Sequence, residues 1–227
     1  EMKSYLRFLG RNKLYTAIEI LGLSVAIAVT IPLLSYMLKI NETNHSHPDY
    51  KNIYSLSASR MQCSSPGIGK YLQENIPEIE IVSSPSHLSG NYTFEVEGKL
   101  ATYIRYDRNF LYFFPHEFIE GGLDTEAKTA MAISESLANE LSKNGPVIGR
   151  SLNLDNETYT VSGIFKDIDD PRFKRYDMMI PRIDNPNEYD MVYWGNNIFV
   201  MTFIKAQDGT YYETLKKKVQ DACAAYW

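Results

Sequence analysis

Several side chains in this sequence are of types that do chemistry, and their spacing says which chemistry. His45, His47 and Asp49 fall at alternate positions. Alternate residues of an extended strand share a face, so the three could converge on a metal. Two imidazoles and one carboxylate leave such a set one ligand short, and a solvated linker is the simpler expectation. His87 and His116 are the histidines open to a hydrolytic triad, and Asp169-Asp170 is the carboxylate pair open to acid–base work. Neither comes with a G-x-S-x-G elbow or an H-E-x-x-H helix. Asp169-Asp170 lies in the charged, turn-rich stretch from Asp167 to Arg175, read as a surface loop. Gly67-Ile68-Gly69-Lys70 is too short to wrap phosphates with backbone amides, so ATP hydrolysis by this chain is not expected. The expectation is therefore no catalytic, cofactor-binding or metal-binding residue, and no enzyme. Cys63 and Cys223 could bridge in an oxidising compartment, given suitable geometry.

The elements that would position these residues begin with an unusual first segment. From Ile20 to Leu38 nineteen consecutive residues carry no charge. About 20 apolar residues cross a bilayer core, and only Ser24, Thr30 and Ser35 are clearly polar here, so a transmembrane helix is expected over 14–39. A cleaved signal peptide would end its apolar region in small residues, where this chain continues with Leu33, Leu34, Tyr36, Met37 and Leu38. Lys3, Arg7, Arg11 and Lys13 precede the span and Lys39 alone follows closely, which puts the N-terminus in the cytoplasm and residues 40–227 on the far side. Met2, Tyr5, Leu6, Phe8 and Leu9 interleave with those bases, and residues 1–13 suit a short amphipathic helix on the inner membrane face or a basic tail. Pro32 is expected to kink the span.

The remainder has the composition of one globular domain. The chain holds 227 residues, 44% hydrophobic and 13% aromatic, with 28 acidic and 23 basic residues for a net charge of −5. That much apolar surface argues against disorder, and the mild acidity argues against a nucleic-acid partner. Four Asn-x-Ser/Thr sequons begin at Asn41, Asn44, Asn91 and Asn156, and would matter only in a eukaryotic secretory pathway.

Strands are expected over 53–59 and 79–84, with a helix over 66–75 capped by Ser64 or Ser65 between them. A hairpin is expected around Glu97-Gly98-Lys99, and a second around Asp155-Asn156 between 151–154 and 158–165. Phe110-Leu111-Tyr112-Phe113-Phe114 reads as core. A strand at 131–133 leads into a helix capped by Ser134 that Asn144-Gly145-Pro146 stops. A strand over 198–205 and a helix over 208–226 close the chain. The interleaving of strands and helices makes the fold class α+β.

Three stretches together resemble one family. Arg11-Asn12-Lys13-Leu14-Tyr15-Thr16-Ala17-Ile18 with Leu21-Gly22-Leu23-Ser24 is similar to the first membrane helix of MacB/FtsX-type ABC-transporter permeases as seen in Bacteroidetes. Phe113-Phe114 through Phe118-Ile119-Glu120-Gly121-Gly122 is similar to the family's aromatic segment. Ile133-Ser134-Glu135-Ser136-Leu137-Ala138, Pro146-Val147-Ile148-Gly149-Arg150 and Tyr159-Thr160-Val161-Ser162-Gly163-Ile164-Phe165-Lys166-Asp167-Ile168 together resemble its most specific signature. The chain departs from the family pattern at Leu141-Ser142-Lys143-Asn144-Gly145-Pro146, while Pro181 to Trp194 matches nothing in it.

The resemblance implies an N-terminal membrane helix and a mixed α/β extracytoplasmic domain of MacB periplasmic-core type in a bacterial inner membrane. It also implies three further membrane helices and partners: an ABC ATPase subunit that binds the ATP, a second permease copy, and a periplasmic adaptor or substrate protein. The implied function is export or mechanotransmission, with movement passed to peptides, lipoproteins, drugs or a partner protein. The alternatives are a single-span, membrane-anchored periplasmic sensor or ligand-binding module and, behind it, a membrane-anchored hydrolase.

Overall fold

The computed structural model describes residues 11, 13–57, 64–65, 67–86, 92–154, 157–168, 175–182 and 200–226. They form two units, residues 1–46 and 47–227, each described by itself below. Cys63, His87, Asp169-Asp170, the sequons at Asn91 and Asn156, and the expected amphipathic helix before Arg11 lie outside the described residues.

The first unit is one helix, α1 (Lys13–His45), of 33 residues with none buried. At 1.5 Å per residue it is about 50 Å long. It is long and apolar enough to cross a membrane. The helix runs through Pro32 and on past Ile40, so Asn41–His45, expected as linker, forms its last turn. The polar side chains there bond back to main-chain carbonyls one turn earlier in the helix. Thr43 Oγ1 donates to Lys39 O at 2.8 Å, and His45 Nδ1 meets Asn41 O at 2.7 Å.

The second unit holds two sheets. The small sheet contains β1 (Ile53–Ser55), β2 (Ile79–Ser83) and β10 (Phe203–Ala206) in the order β1-β10-β2, both pairs antiparallel. The large sheet is built from β3 (Thr93–Val96), β4 (Lys99–Tyr106), β5 (Phe118–Gly121), β6 (Ala130–Ser134), β7 (Ser151–Leu154), β8 (Glu157–Phe165) and β9 (Met178–Pro181). Its order is β3-β4-β9-β6-β8-β5, with β7 also on β8. The β4/β9 and β6/β8 pairs are parallel and the others antiparallel. The helices are α2 (Ile68–Asn75), α3 (Phe110–Phe113), α4 (Glu135–Leu141) and α5 (Tyr212–Tyr226). This is the expected α+β class.

Alternation of side chains along the strands sets the layers. Met131, Ile133, Met178 and Ile180 point to one face of the large sheet and pack with Leu137, Ala138 and Leu141 of α4. Ala132, Met179, Ile104 and Tyr106 point to the other, where Phe110, Phe113 and Phe114 meet Phe203 of the small sheet. The far face of the small sheet presents Val82 and Ile204 to α2 and α5. The second unit is thus helix, large sheet, aromatic layer, small sheet, helices. Strands buried on both faces, such as β6 and β9, read as unbroken apolar runs.

Local chemistry explains where elements start and stop. Ser134 Oγ accepts from Leu137 N–H at 3.2 Å and caps α4 as expected. Ser64 and Ser65 do not cap α2, whose N-cap is Gly67. Ser64 Oγ is instead tied to Thr202 Oγ1 at 2.7 Å, stitching the approach to α2 onto the strand side. The first hairpin turns on two residues, Glu97 and Gly98, at φ of 48° and 81°. Two positive φ values match the right-handed strand twist, so Lys99 and Leu100 join β4 rather than the turn. β1 stops at Ser55. Of the strand expected over 198–205, β10 keeps 203–205 and adds Ala206, while Val200 bridges to Ser64 and Ser86 instead. α5 begins at Tyr212, four residues later than expected, after a turn in which Gly209 has φ of 80°.

Candidate functional site

Among the described residues, His47, His116 and Asp167 are held in structural bonds. His47 Nδ1 accepts from Asp49 N–H at 3.0 Å, so Nε2 carries the proton and donates to Tyr112 O at 2.6 Å. Tyr112 O–H in turn donates to Asp49 Oδ2. Burial, and after it that carboxylate, raises the Tyr112 phenol above its ordinary pKa. With both ring nitrogens engaged, His47 has no lone pair to offer a metal. Among the described residues no group of three His, Cys, Asp or Glu could hold one. His116 sits in an aromatic box of Phe110, Phe165 and Tyr176. Its Nδ1 meets Phe114 O and its Nε2 meets Tyr176 Oη, both at 2.7 Å, which ties the end of α3 to the loop before β9.

Asp167, read as part of a solvated loop, is a capping residue. It accepts from Ser136 N–H at 3.1 Å and from the Ser136 hydroxyl, and pairs with Arg175 at 2.9 Å. Ser134 and Asp167 together satisfy two of the open amides at the start of α4. Burial pushes the Asp167 pKa up, but the Ser136 bonds and Arg175 outweigh it and the net shift is downward.

A second carboxylate, not singled out in the sequence, joins the sheets. Asp107 follows β4, and its Oδ1 accepts from Ser83 Oγ at 2.7 Å and Asn109 N–H at 3.1 Å. Its Oδ2 accepts from Ser84 N–H. Asn109 Nδ2 donates to Val82 O at 2.8 Å, so one turn grips the end of β2 twice. Burial raises the Asp107 pKa, and the Ser84, Ser83, Arg182 and Asn109 contacts only partly offset this. The Asp107-x-Asn109 spacing was the available signal, since an Asp side chain commonly bonds the amide two residues on.

A cavity among the described residues lies on the outer side of the small sheet. It has a volume of about 480 Å³ and a floor of Ile68, Ile204, Leu215 and Val219. One wall is four successive residues, Tyr54 to Ser57, and the facing wall is a stripe of α5 comprising Tyr212, Lys216, Gln220 and Cys223. Ser64 and Ser65 close one side. Tyr54 and Tyr212 stack at 5.6 Å. Burial raises the Cys223 thiol, which keeps it protonated and poorly nucleophilic. The cavity offers apolar contact and hydrogen bonds, with no acid–base pair among its lining residues. Gly69, from the short glycine motif, serves packing: a Cβ there would stand 2.6 Å from Val82 Cγ1 and 2.7 Å from Ser84 Oγ.

The comparisons with known proteins agree with this architecture. No curated protein matches the sequence. A domain described as that of a permease protein from Porphyromonas gingivalis superimposes with a TM-score of 0.63 at 21% identity, over 81% of this chain and 84% of that one. The periplasmic region of MacB from Actinobacillus actinomycetemcomitans gives 0.53 at 13% identity, over 77% and 82%. At these identities the likeness is one of fold. The model of the MacB-like periplasmic core domain matches residues 16–222, most of α1 and nearly all of the second unit. By that match the chain belongs to the MacB-like periplasmic core domain family of ABC-transporter permeases.

Proposed function

We propose that this chain is the first membrane helix and extracytoplasmic domain of a MacB/FtsX-like permease, in which a partner ATPase drives movement of the domain. The observation that carries the reading is one family match running from within α1 to within α5, so that an apolar helix able to span a bilayer leads directly into a periplasmic core fold. In this reading residues 1–13 are cytoplasmic, 14–39 cross the membrane and 40–227 lie outside. The excess of Lys and Arg before the span supports that orientation. ATP binds to a separate nucleotide-binding subunit, and a second permease copy completes the unit. This chain contributes transmission and not catalysis: His47, His116 and the capping carboxylates serve as structural ties, and its two sheets share one aromatic layer.

The test combines topology with coupling. Leu100 is 75% exposed. A Leu100→Cys variant in a cysteine-free background is expected to react with a membrane-impermeant maleimide in spheroplasts. Labelling only after the membrane is disrupted would overturn the orientation. For coupling, the full permease is co-expressed with the ABC ATPase that this reading expects to be encoded beside it. Hydrolysis in the purified complex is expected to change when the domain is tethered by a cross-link, and unchanged hydrolysis would sink mechanotransmission.

A further inference from the structure

His47, the first residue of the second unit, and Asp49 hold Tyr112 of α3 at two points. The imidazole Nε2–H bonds the Tyr112 carbonyl, and the Tyr112 hydroxyl bonds the Asp49 carboxylate. The His47 and Tyr112 rings meet edge to face at 5.1 Å. Asp49 is placed for this by its own amide, which donates to Nδ1 of the same imidazole at 3.0 Å. The arrangement therefore needs a neutral ring with its proton on Nε2, because Nδ1 must accept. Tyr112 in turn meets Phe113 edge to face at 5.2 Å and packs on the aromatic layer, so these contacts fasten the start of the second unit to that layer. Tyr50 N–H bonds His47 O and Asn52 N–H bonds Asp49 O, so the next turn of chain is built on the same two residues.

We infer that His47, Asp49 and Tyr112 form a proton-operated latch, closed while His47 is neutral and released from α3 when its Nδ1 takes a proton. An imidazolium donates at both nitrogens, so Nδ1–H would face the Asp49 N–H that it now accepts from. Two donors cannot share one bond, and the turn must open. His47 and Asp49 are only half-buried, so protons reach them from solvent. The charged groups around the latch favour the imidazolium. Asp49 lies on its own turn, while Glu80 of β2 and Asp208 beyond β10 act with Asp49 on both the Tyr112 phenol and the Lys205 ammonium. Lys205 of β10 is already bonded to Glu80. Three carboxylates against one ammonium stabilise a further positive charge. The charged ring can then turn Nδ1–H toward the Asp49 carboxylate and compete there with the Tyr112 hydroxyl. In an extracytoplasmic domain such a latch reads the pH outside the membrane, a point that rests on the topology proposed above. The latch itself needs neither that orientation nor an ATPase, so its failure and that of the proposed function are separable.

The experiment follows hydrogen–deuterium exchange of the full chain, in detergent, at about pH 8 and about pH 5.5, an interval in which histidine changes charge. Exchange times are corrected for the intrinsic rate at each pH. The amides of Asp49, Tyr50 and Asn52 are expected to lose protection in acid by about fivefold or more, the size of one net hydrogen bond, while those of β6 and β8 keep theirs. His47→Gln retains one acceptor and one donor at similar reach and cannot take the proton. It should hold the latch equally at both pH values. If His47→Gln fails to fold, or is already open at the higher pH, the proton NMR signal of the His47 ring in the wild-type chain takes its place, and its titration should coincide with the loss of protection. The inference is overturned by protection that does not change with pH, by the same acid loss in His47→Gln, by an equal loss across β6 and β8, or by a His47 ring that titrates apart from the opening.

Discussion

The two carboxylates Asp107 and Asp167 carry opposite pKa shifts, and the difference is set by how many donors each meets for the burial it suffers. Asp167, which follows β8 and caps the start of α4, is held below its ordinary value. Its contribution to stability is therefore present above the unfolded pKa and is lost as pH falls through the lower folded one. Asp167→Asn should cost about 1 kcal/mol at neutral pH, as loss of a helix cap does. The gap from wild type should close in acid, which urea unfolding across the acidic range would check. Asp107 is held above its range. Its ionisation therefore weakens the fold as pH rises from the unfolded pKa through the folded one, and the penalty stays constant above. Asp107→Ala should still destabilise, by roughly 1–3 kcal/mol, because the Ser84 and Asn109 amides lose their acceptor. Asp107→Ala should also abolish the acidic titration that the wild-type domain shows in that window. The residue types were legible in the sequence, but their roles were not. His47, His116 and Asp167 each take a partner from a distant stretch, and nothing in the spacing of the sequence indicates which one.

At the scale of elements, the contacts between layers decide stability. α2 lies so close to the small sheet that Gly69→Ala forces Val82, Ser84 or the backbone to move. Overpacking of this kind costs roughly 1–3 kcal/mol, and differential scanning calorimetry should show a lowered Tm. Phe203 meets Phe114 edge to face at 4.9 Å and Phe113 at 6.2 Å across the layer between the sheets. Phe203→Ala should cost about 3–5 kcal/mol. Element types were largely readable: the Ser134 cap, the Glu97-Gly98 turn and the apolar runs of β6 and β9 carry their own local signals. Boundaries were less so. The starts of α2 and β10 depend on Ser64, Val200 and Thr202 bonding one another across more than a hundred residues, and such pairing overrides local preference. The opening expected as strand, helix, strand is correct in order, yet β1 and β2 never touch, because β10 from the far end of the chain enters between them.

For the whole molecule, the uncharged run from Ile20 to Leu38 was the plainest signal in the sequence, and α1 covers it entirely. A charge at its centre costs roughly 2.5–3.5 kcal/mol on insertion scales. Val25→Asp combined with Val29→Asp should therefore shift the chain out of the carbonate-resistant membrane fraction. The path of the chain through the second unit has a mechanical consequence. In the antiparallel β1/β10 pair, Ile53 lies opposite Lys205, so the chain enters β1 and leaves β10 at the same end of the small sheet. The Asn52 side chain bonds Asp208 there. Once α5 peels away and the His47 and Asp49 ties to Tyr112 give, tension between the two ends of this unit reaches that corner. It opens the pair one rung at a time from Asn52–Asp208 inward, as a zipper yields, while the seven strands of the large sheet stay out of the line of force.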